Sequence, residues 1–218
     1  FSNIGAGLAY IKTATYALDS LYDEIVLINA SIESSVDMDS NTLMDFNSVE
    51  LKNISYSYKS NDNHQVLNDI NFSIKKGSLI AISGKSGAGK STLIDIMTGM
   101  LQPTGGNLLV NNFQIMTQAS IHDWQQKCAF IPQNVFLINS SIKKNIALGL
   151  DDDEIDYAKL QLAISAANLD KVLIQNEMDI NSYVGEGGVR LSGGQKQRVA
   201  LARALYAERE VIFMDEAT

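Results

Sequence analysis

The stretch Gly84-Lys85-Ser86-Gly87-Ala88-Gly89-Lys90-Ser91 decides the fold class of this 218-residue chain. It follows a short apolar run, residues 79–83, that predicts a strand, and it opens a run, residues 90–100, that predicts a helix. Glycines at this spacing let the backbone wrap around phosphate groups, and the N–H groups of a helix start attract anions. A strand, a glycine-rich loop and a helix in this order therefore predict a phosphate-binding loop.

Two side chains at the end of this loop carry its chemistry. Lys90 is expected to reach the β- and γ-phosphates of a nucleotide, and the Ser91 hydroxyl is expected to ligate Mg²⁺. A chance turn rich in glycine and serine is the alternative, and the flanking strand and helix argue against it. The predicted nucleotide contacts are Gly84, Lys85, Ser86, Gly87, Ala88, Gly89, Lys90, Ser91 and Thr92.

An acidic strand end lies close to the last residue of the chain. Four apolar residues, 211–214, predict a buried strand, and Asp215 and Glu216 follow it directly. Ligands of open α/β sheets bind at the carboxyl ends of the strands. Asp215 is therefore predicted to hold Mg²⁺ through water, and Glu216 to act as the general base that polarises the attacking water. Acidic strand ends are common, so this prediction depends on the glycine-rich loop.

A second candidate anion site is the stretch Leu191-Ser192-Gly193-Gly194-Gln195-Lys196-Gln197-Arg198, which we call the signature. Ser192 is predicted to cap a helix over residues 195–205, and Gly193 and Gly194 leave backbone N–H groups open to close approach. The start of that helix favours a phosphate, so we predict that residues 192–195 bind nucleotide. An ordinary capped helix start is the alternative.

The composition limits the class of protein. Hydrophobic residues make up 45% of the chain, which is enough for a core, and 25 acidic against 17 basic residues give a net charge of −8. That balance argues against a nucleic-acid partner, which favours a basic face. Cys128 is the only cysteine, so no intrachain disulfide is possible. Trp124 and Cys128 are expected to pack in or near the core. Neither His64 nor His122 has metal-ligand neighbours, so we assign no zinc.

The chain divides near residue 46. Apolar residues at helical spacing over residues 1–30 predict an amphipathic helix, and residues 31–46 read as a polar linker. From residue 47 onward, strands alternate with helices, which predicts an α/β fold with a largely parallel sheet covered on both faces. The acidic run 151–154 is expected to open a helix that ends near Asn168, because acidic residues suit a helix start.

The loop, the signature and the Asp-Glu pair together resemble the nucleotide-binding domain of an ABC transporter over residues 47–218. The resemblance implies ATP and Mg²⁺ as ligands. It also implies a P-loop NTPase fold with a mostly parallel sheet, an antiparallel β subdomain and a helical signature subdomain. Gln133 matches the family's Q-loop glutamine, a catalytic-site residue that touches Mg²⁺ and relays nucleotide state to the membrane domains. Tyr58 matches the aromatic residue that stacks on adenine, although Tyr56 and Tyr58 could be ordinary strand residues.

Two further segments resemble the exporter type of this family. The stretch Val184-Gly185-Glu186-Gly187-Gly188 resembles a loop that contacts coupling helices, with a solvated turn as the alternative for Glu186. Residues 1–27 resemble the cytoplasmic end of the last membrane helix in exporters, where the membrane domain precedes the ATPase. Three segments are most similar to bacterial flippases of lipid-linked oligosaccharides and their polysaccharide-export relatives, namely residues 70–76, 95–103 and 184–194. Peptide or drug exporters, soluble non-transport ABC ATPases and a non-hydrolysing binding module are the alternatives.

The resemblance implies particular partners and a location. Two such domains are expected to form a homodimer, with each ATP held between residues 84–91 of one chain and residues 192–195 of the other. A fused membrane domain would place the ATPase at the cytoplasmic face of a membrane, namely the bacterial inner membrane. The family continues after residue 218 with another core strand and a switch histidine. We therefore expect the 218-residue piece, expressed by itself, to be poorly soluble and nearly inactive.

Overall fold

The computed structural model describes Leu18, Tyr22 and residues 45–58 and 65–215. Leu18 and Tyr22 are helical and exposed. The rest of the predicted helix over residues 1–30, the linker as far as residue 44, His64 and Glu216 lie outside the described residues.

The described ranges contain six strands, six α-helices and one 3-10 turn. The strands are β1 (Ser48–Ser57), β2 (Gln65–Lys75), β3 (Gly105–Val110), β4 (Phe113–Gln114), β5 (Cys128–Ile131) and β6 (Val211–Met214). The helices are α1 (Lys90–Met97), α2 (Gln118–Lys127), α3 (Ile142–Ile146), α4 (Tyr157–Ala166), α5 (Leu169–Gln175) and α6 (Gly193–Tyr206), and Glu186–Gly188 forms a 3-10 turn. No helix in these ranges combines the length and the apolar character needed to cross a bilayer.

The larger sheet is antiparallel and has the strand order β2-β1-β3-β4. Its central strand, β1, buries Val49, Leu51 and Ile54 and pairs with both neighbours. β3 pairs with β1, and at Gly106 the two backbones are so close that a Cβ atom would overlap the backbone carbonyl of Asn53. Gly106 has a φ of +82°. Only glycine fits this close approach of the two strands without strain.

The second sheet of the described ranges is a parallel pair, β5 and β6, in register from Cys128 opposite Val211 to Ile131 opposite Met214. The strand predicted over residues 79–83 is absent from this pair, and the described chain offers it no strand partner. Leu79, Ile80 and Ile82 are correspondingly exposed. An apolar run becomes a strand only when another strand satisfies its backbone groups, so the expected parallel sheet is limited here to two strands.

The acidic run 151–154 does not open a helix, contrary to the prediction. α4 begins at Tyr157, because the Asp156 side chain accepts a 3.0 Å hydrogen bond from the Lys159 N–H and caps the first turn. Residues 151–154 form a turn with internal hydrogen bonds, and Asp152 of this turn ion-pairs with Lys143 and Lys144 of α3. The predicted end near Asn168 is confirmed, since α4 ends at Ala166; a further helix, α5, follows Asn168, which has a φ of +50°.

Two hydrophobic cores organise the described residues. The sheet half, residues 46–131 with β6, has a core in which Trp124 is fully buried, donates a 2.7 Å hydrogen bond to the Met97 carbonyl and packs on Phe46. The helical half, residues 135–206, is built around α3, α4, α5 and α6, and Leu137, Leu160 and Leu169 are among its most buried side chains. The packing predicted for Trp124 is thereby confirmed, and Cys128 is half-buried at the edge of the sheet core.

Candidate functional site

The glycine-rich loop joins the sheet half to the start of α1. Gly89 immediately precedes the helix with a φ of +84°, and a Cβ atom there would come within 2.9 Å of Leu67 and 3.1 Å of Val66. Both the backbone conformation and the space thus require glycine at this position. In the described chain no side chain caps α1, so the first N–H groups of the helix are available to an anion.

Lys90 lies along the inside of this loop. Its Nζ atom donates hydrogen bonds of 3.0 Å to the carbonyls of Gly84 and Lys85. These bonds hold the ammonium group against the turn formed by Ser86 and Gly87, where Gly87 has a φ of +78°. The cation is therefore placed where phosphate oxygens approaching the helix start would meet it.

The residues that follow Lys90 have contrasting environments. The Ser91 side chain is exposed, whereas Thr92 is buried with 7% of its surface accessible. Thr92 Oγ1 lies 3.1 Å from the Tyr58 hydroxyl, so the loop is hydrogen bonded to the aromatic residue predicted to stack on adenine. Tyr58 remains 47% exposed, and its ring packs edge-on against Tyr56 with 5.0 Å between ring centroids.

The parallel pair brings Gln133 and Asp215 to one edge of the sheet. β5 ends at Ile131 and β6 ends at Met214, which are register partners, and the Asp215 N–H donates a 3.0 Å hydrogen bond to the Ile131 carbonyl. Gln133 follows two residues after β5 and is exposed. The predicted metal ligands Gln133 and Asp215 therefore follow adjacent strand ends.

Asp95 is an acidic residue that sequence reasoning missed. It lies on α1, and its pKa is raised above the ordinary carboxyl value by burial and, to a smaller extent, by the negative charge of Asp215. The two carboxyl groups are therefore near enough for their charges to interact. An acidic residue five positions after Lys90 was the available signal, but its meaning depended on where the fold places Asp215.

The signature starts α6 with a capping box. The Gln195 N–H donates to Ser192 Oγ at 3.4 Å, and Gln195 Oε1 accepts from the Ser192 N–H at 2.9 Å. The predicted serine cap is thus confirmed, with Gln195 as its reciprocal partner. A Cβ atom at Gly193 or Gly194 would meet no atom within 4 Å, so a ligand can approach the first turn of α6 closely.

The loop before the signature is fastened to α6. Lys196 Nζ donates a 2.8 Å hydrogen bond to the Gly187 carbonyl in the 3-10 turn. A Cβ atom at Gly188, where φ is +70°, would lie 2.7 Å from Leu137, so this turn packs directly on the helical core. Glu186 is exposed on the same turn. The segment predicted to contact coupling helices is therefore attached to the signature helix.

A buried polar cluster holds α6 to α3, and sequence reasoning missed it. Asn145 is fully buried, and its side chain bonds both the N–H and the carbonyl of Ile138 and the carbonyl of Ser141. Arg203 on α6 donates a 2.8 Å bond to the Asn145 carbonyl and a 3.3 Å bond to the Phe136 carbonyl. Burial lowers the pKa of Arg203 below its usual value. The segment after Gln133 is thus tied to the signature helix.

The residues described here fit a magnesium-bound nucleotide. The Ser91 hydroxyl, the Gln133 amide and the Asp215 carboxylate offer the oxygen ligands that Mg²⁺ prefers. Two helix starts offer N–H groups to phosphate, but they lie in different halves. Among the described residues no hydrogen bond joins loop residues 84–91 to signature residues 192–195. The final predicted site residue, Glu216, follows Asp215 outside the described residues.

Comparison with known proteins extends these observations. A family profile described as "ABC transporter" matches residues 67–218. The ATP-dependent lipid A-core flippase of Burkholderia thailandensis is 35% identical over 171 residues, which cover 78% of this chain and 28% of the flippase. ABC transporter B family member 1 of Arabidopsis thaliana is 34% identical over 213 residues, or 98% of this chain and 16% of that protein.

A solved structure of a bacterial Atm1-family ABC exporter with ATP bound is also similar. It is 32% identical, with a TM-score of 0.68, over 80% of this chain and 30% of the exporter chain. This chain therefore spans less than a third of the length of the relatives described here.

Proposed function

This chain belongs to the ABC transporter family, and we propose that it binds and hydrolyses ATP as the ATPase domain of an exporter. The observation that carries the proposal is the uncapped start of α1, with the Lys90 ammonium held against the loop beside it. A polyphosphate is the ligand that uses both features, because it brings several negative charges to N–H groups and a cation at once.

Residues in and next to the sheet half would each bind a different part of the nucleotide. The loop N–H groups and Lys90 bind the phosphates, and the exposed face of Tyr58 supports the base. Ser91, Gln133 and Asp215 would hold Mg²⁺, which supplies positive charge to the phosphate oxygens when bound. Glu216 orients the attacking water and accepts its proton. The negative charge of Asp95, which interacts with that of Asp215, would add to the attraction for a cation.

The signature is proposed to serve a nucleotide held by a second copy of this domain. Its open glycines present N–H groups outward from the helical half, and in the described chain they do not bond the phosphate loop. A homodimer arranged head to tail would complete two such sites, each with one loop and one signature. Charge-assisted hydrogen bonds contribute about 1.5–3 kcal/mol each, so ATP can hold the two domains together until hydrolysis releases them.

The dimer cycle would drive transport through a fused membrane domain. The turn at Glu186–Gly188 and the segment after Gln133 are both fastened to the helical half, so they would carry its movement to the membrane part. We place the domain at the cytoplasmic face of a bacterial inner membrane. The flippase named above acts on lipid A-core, which supports an amphipathic, lipid-linked substrate for this protein, with peptides or drugs as the alternative.

The test is the hydrolysis of ATP by the intact protein and by its Glu216→Gln variant. We expect Mg²⁺-dependent turnover in the wild type. We expect the variant to lose at least about 100-fold in kcat, the lower end of the range for general-base catalysis, while it binds ATP with unchanged affinity. Glu216→Asp is the matched control that keeps the charge. Near-normal turnover in Glu216→Gln would remove Glu216 as the base, and a wild type that binds no ATP would overturn the proposed function.

A further inference from the structure

The contact between Tyr58 and Thr92 joins two parts of the proposed site that sequence motifs treat separately. Tyr58 directly follows β1, whereas Thr92 lies in the first turn of α1 behind the phosphate loop. The two side-chain oxygens are 3.1 Å apart. Thr92 is 7% exposed, so its hydroxyl is a fixed point within the sheet core.

A second contact fixes the same ring. Tyr56 meets the Tyr58 ring edge-on, with an interplanar angle of 89° and 5.0 Å between centroids. The hydroxyl end and one edge of Tyr58 are therefore both held, yet 47% of the residue remains accessible. A ring held at two places with an exposed face needs little ordering when a flat ligand stacks on it.

We propose that the Tyr58 hydroxyl is a positioning group that, through Thr92, orders the aromatic platform for the base before the nucleotide binds. This inference rests on the proposed function, because it requires an adenine that stacks on Tyr58. It assigns the hydroxyl a task that the aromatic face does not perform. A phenylalanine at this position would supply the same stacking surface but would lose the bond to α1.

The experiment compares a ligand that has a base with a ligand that has none. Binding of MgATP and of magnesium tripolyphosphate is measured by calorimetry on the intact wild-type protein and on Tyr58→Phe. We expect the variant to bind MgATP about 2- to 10-fold more weakly, the usual range for one lost hydrogen bond, and to bind tripolyphosphate with wild-type affinity. Tyr157→Phe is the matched control, since it removes a hydroxyl bonded to Lys143 in the helical half, and it should change neither affinity.

The Thr92→Val background tests whether the hydroxyl acts through Thr92. Valine keeps the shape of this buried side chain, and Tyr58→Phe should then cause no additional loss of MgATP affinity. Equal MgATP affinity in wild type and Tyr58→Phe would overturn the inference, as would equal losses for both ligands or a gain in affinity. Failure of the wild type to bind MgATP would instead overturn the proposed function.

Discussion

The starts of α1 and α6, the two helix starts that we propose bind phosphate, are built in opposite ways. α1 begins after a glycine with a φ of +84°, and in the described chain no side chain caps it. α6 begins with a serine and a glutamine that cap each other's backbone N–H groups. One helix start therefore leaves its first N–H groups to a ligand, whereas the other satisfies two of them internally and stays ordered by itself.

The two helix starts also differ in the contacts that hold them within their own halves of the molecule. The α1 loop follows residues 79–83, which have no strand partner in the described chain and expose Leu79 completely. The α6 start is held by the Lys196 bond to Gly187 and, farther along the helix, by Arg203. The start of α6 is thus held by side-chain hydrogen bonds within its own half, whereas the loop before α1 follows a segment that lacks strand pairing in the described chain.

The largest expected effect is at the uncapped site. Lys90→Ala removes the cation from the α1 loop, and two lost charge-assisted bonds of about 1.5–3 kcal/mol each should lower kcat/KM for ATP about 10²- to 10⁴-fold. The measurement is steady-state ATPase of the intact protein. Lys52→Ala removes a surface lysine that pairs with Glu50 and should retain activity. A comparable loss in both variants would mean that total charge matters and that the position of Lys90 does not.

A smaller effect is expected at the start of α6. Two substitutions there distinguish a loss of helix stability from a loss of ligand binding. Ser192→Ala should lower the local stability of the first turn of α6 by about 0.5–2 kcal/mol, read by hydrogen exchange. Ser192→Asp keeps a capping oxygen and should retain that protection. Its negative charge opposes a phosphate, so ATPase should fall at least about tenfold. If Ser192→Asp hydrolyses ATP like the wild type, the α6 start does not face a nucleotide.

The smallest expected effect concerns the ion pair between Glu210 and Lys127. Glu210 accepts a 2.8 Å bond from the Phe46 N–H and pairs with Lys127 at 2.6 Å, and Lys127 is the main reason that the pKa of Glu210 is lowered. Because the folded pKa lies below the ordinary value of 4.5, this stabilisation is complete above pH 4.5 and is lost as the pH falls through the folded pKa.

Glu210→Gln should therefore destabilise the sheet half by about 1 kcal/mol or less at pH 7, and the difference from wild type should shrink toward zero in acid. Hydrogen exchange, corrected for the intrinsic rate at each pH, can follow peptides of the two halves separately. Glu208→Gln, at an exposed carboxylate paired with Lys159, is the control. A deficit that persists unchanged well below pH 4.5 would show that the Glu210 charge is not responsible.

Several structural details could not be predicted because they depend on partners distant in the chain. The acidic run 151–154 was expected to begin a helix, but Asp156 provides the cap and Asp152 ion-pairs with Lys143 in α3. Asn145 gave no local signal, since a polar residue after two lysines resembles an exposed position until the fold buries it. Residues 79–83 have the composition of a strand, and the missing information was whether another strand lies beside them.

The sequence by itself determined the phosphate loop, the serine cap of α6 and the acidic end of β6. Each of these depends on the conformational freedom of glycine or on hydrogen bonds within about four residues, so local residue order is sufficient. Only the tertiary structure decided that Gln133 and Asp215 share one sheet edge, that Tyr58 bonds Thr92, and that the signature belongs to a separate core. These relations depend on long-range packing and on strand pairing, where the partner is chosen by the fold.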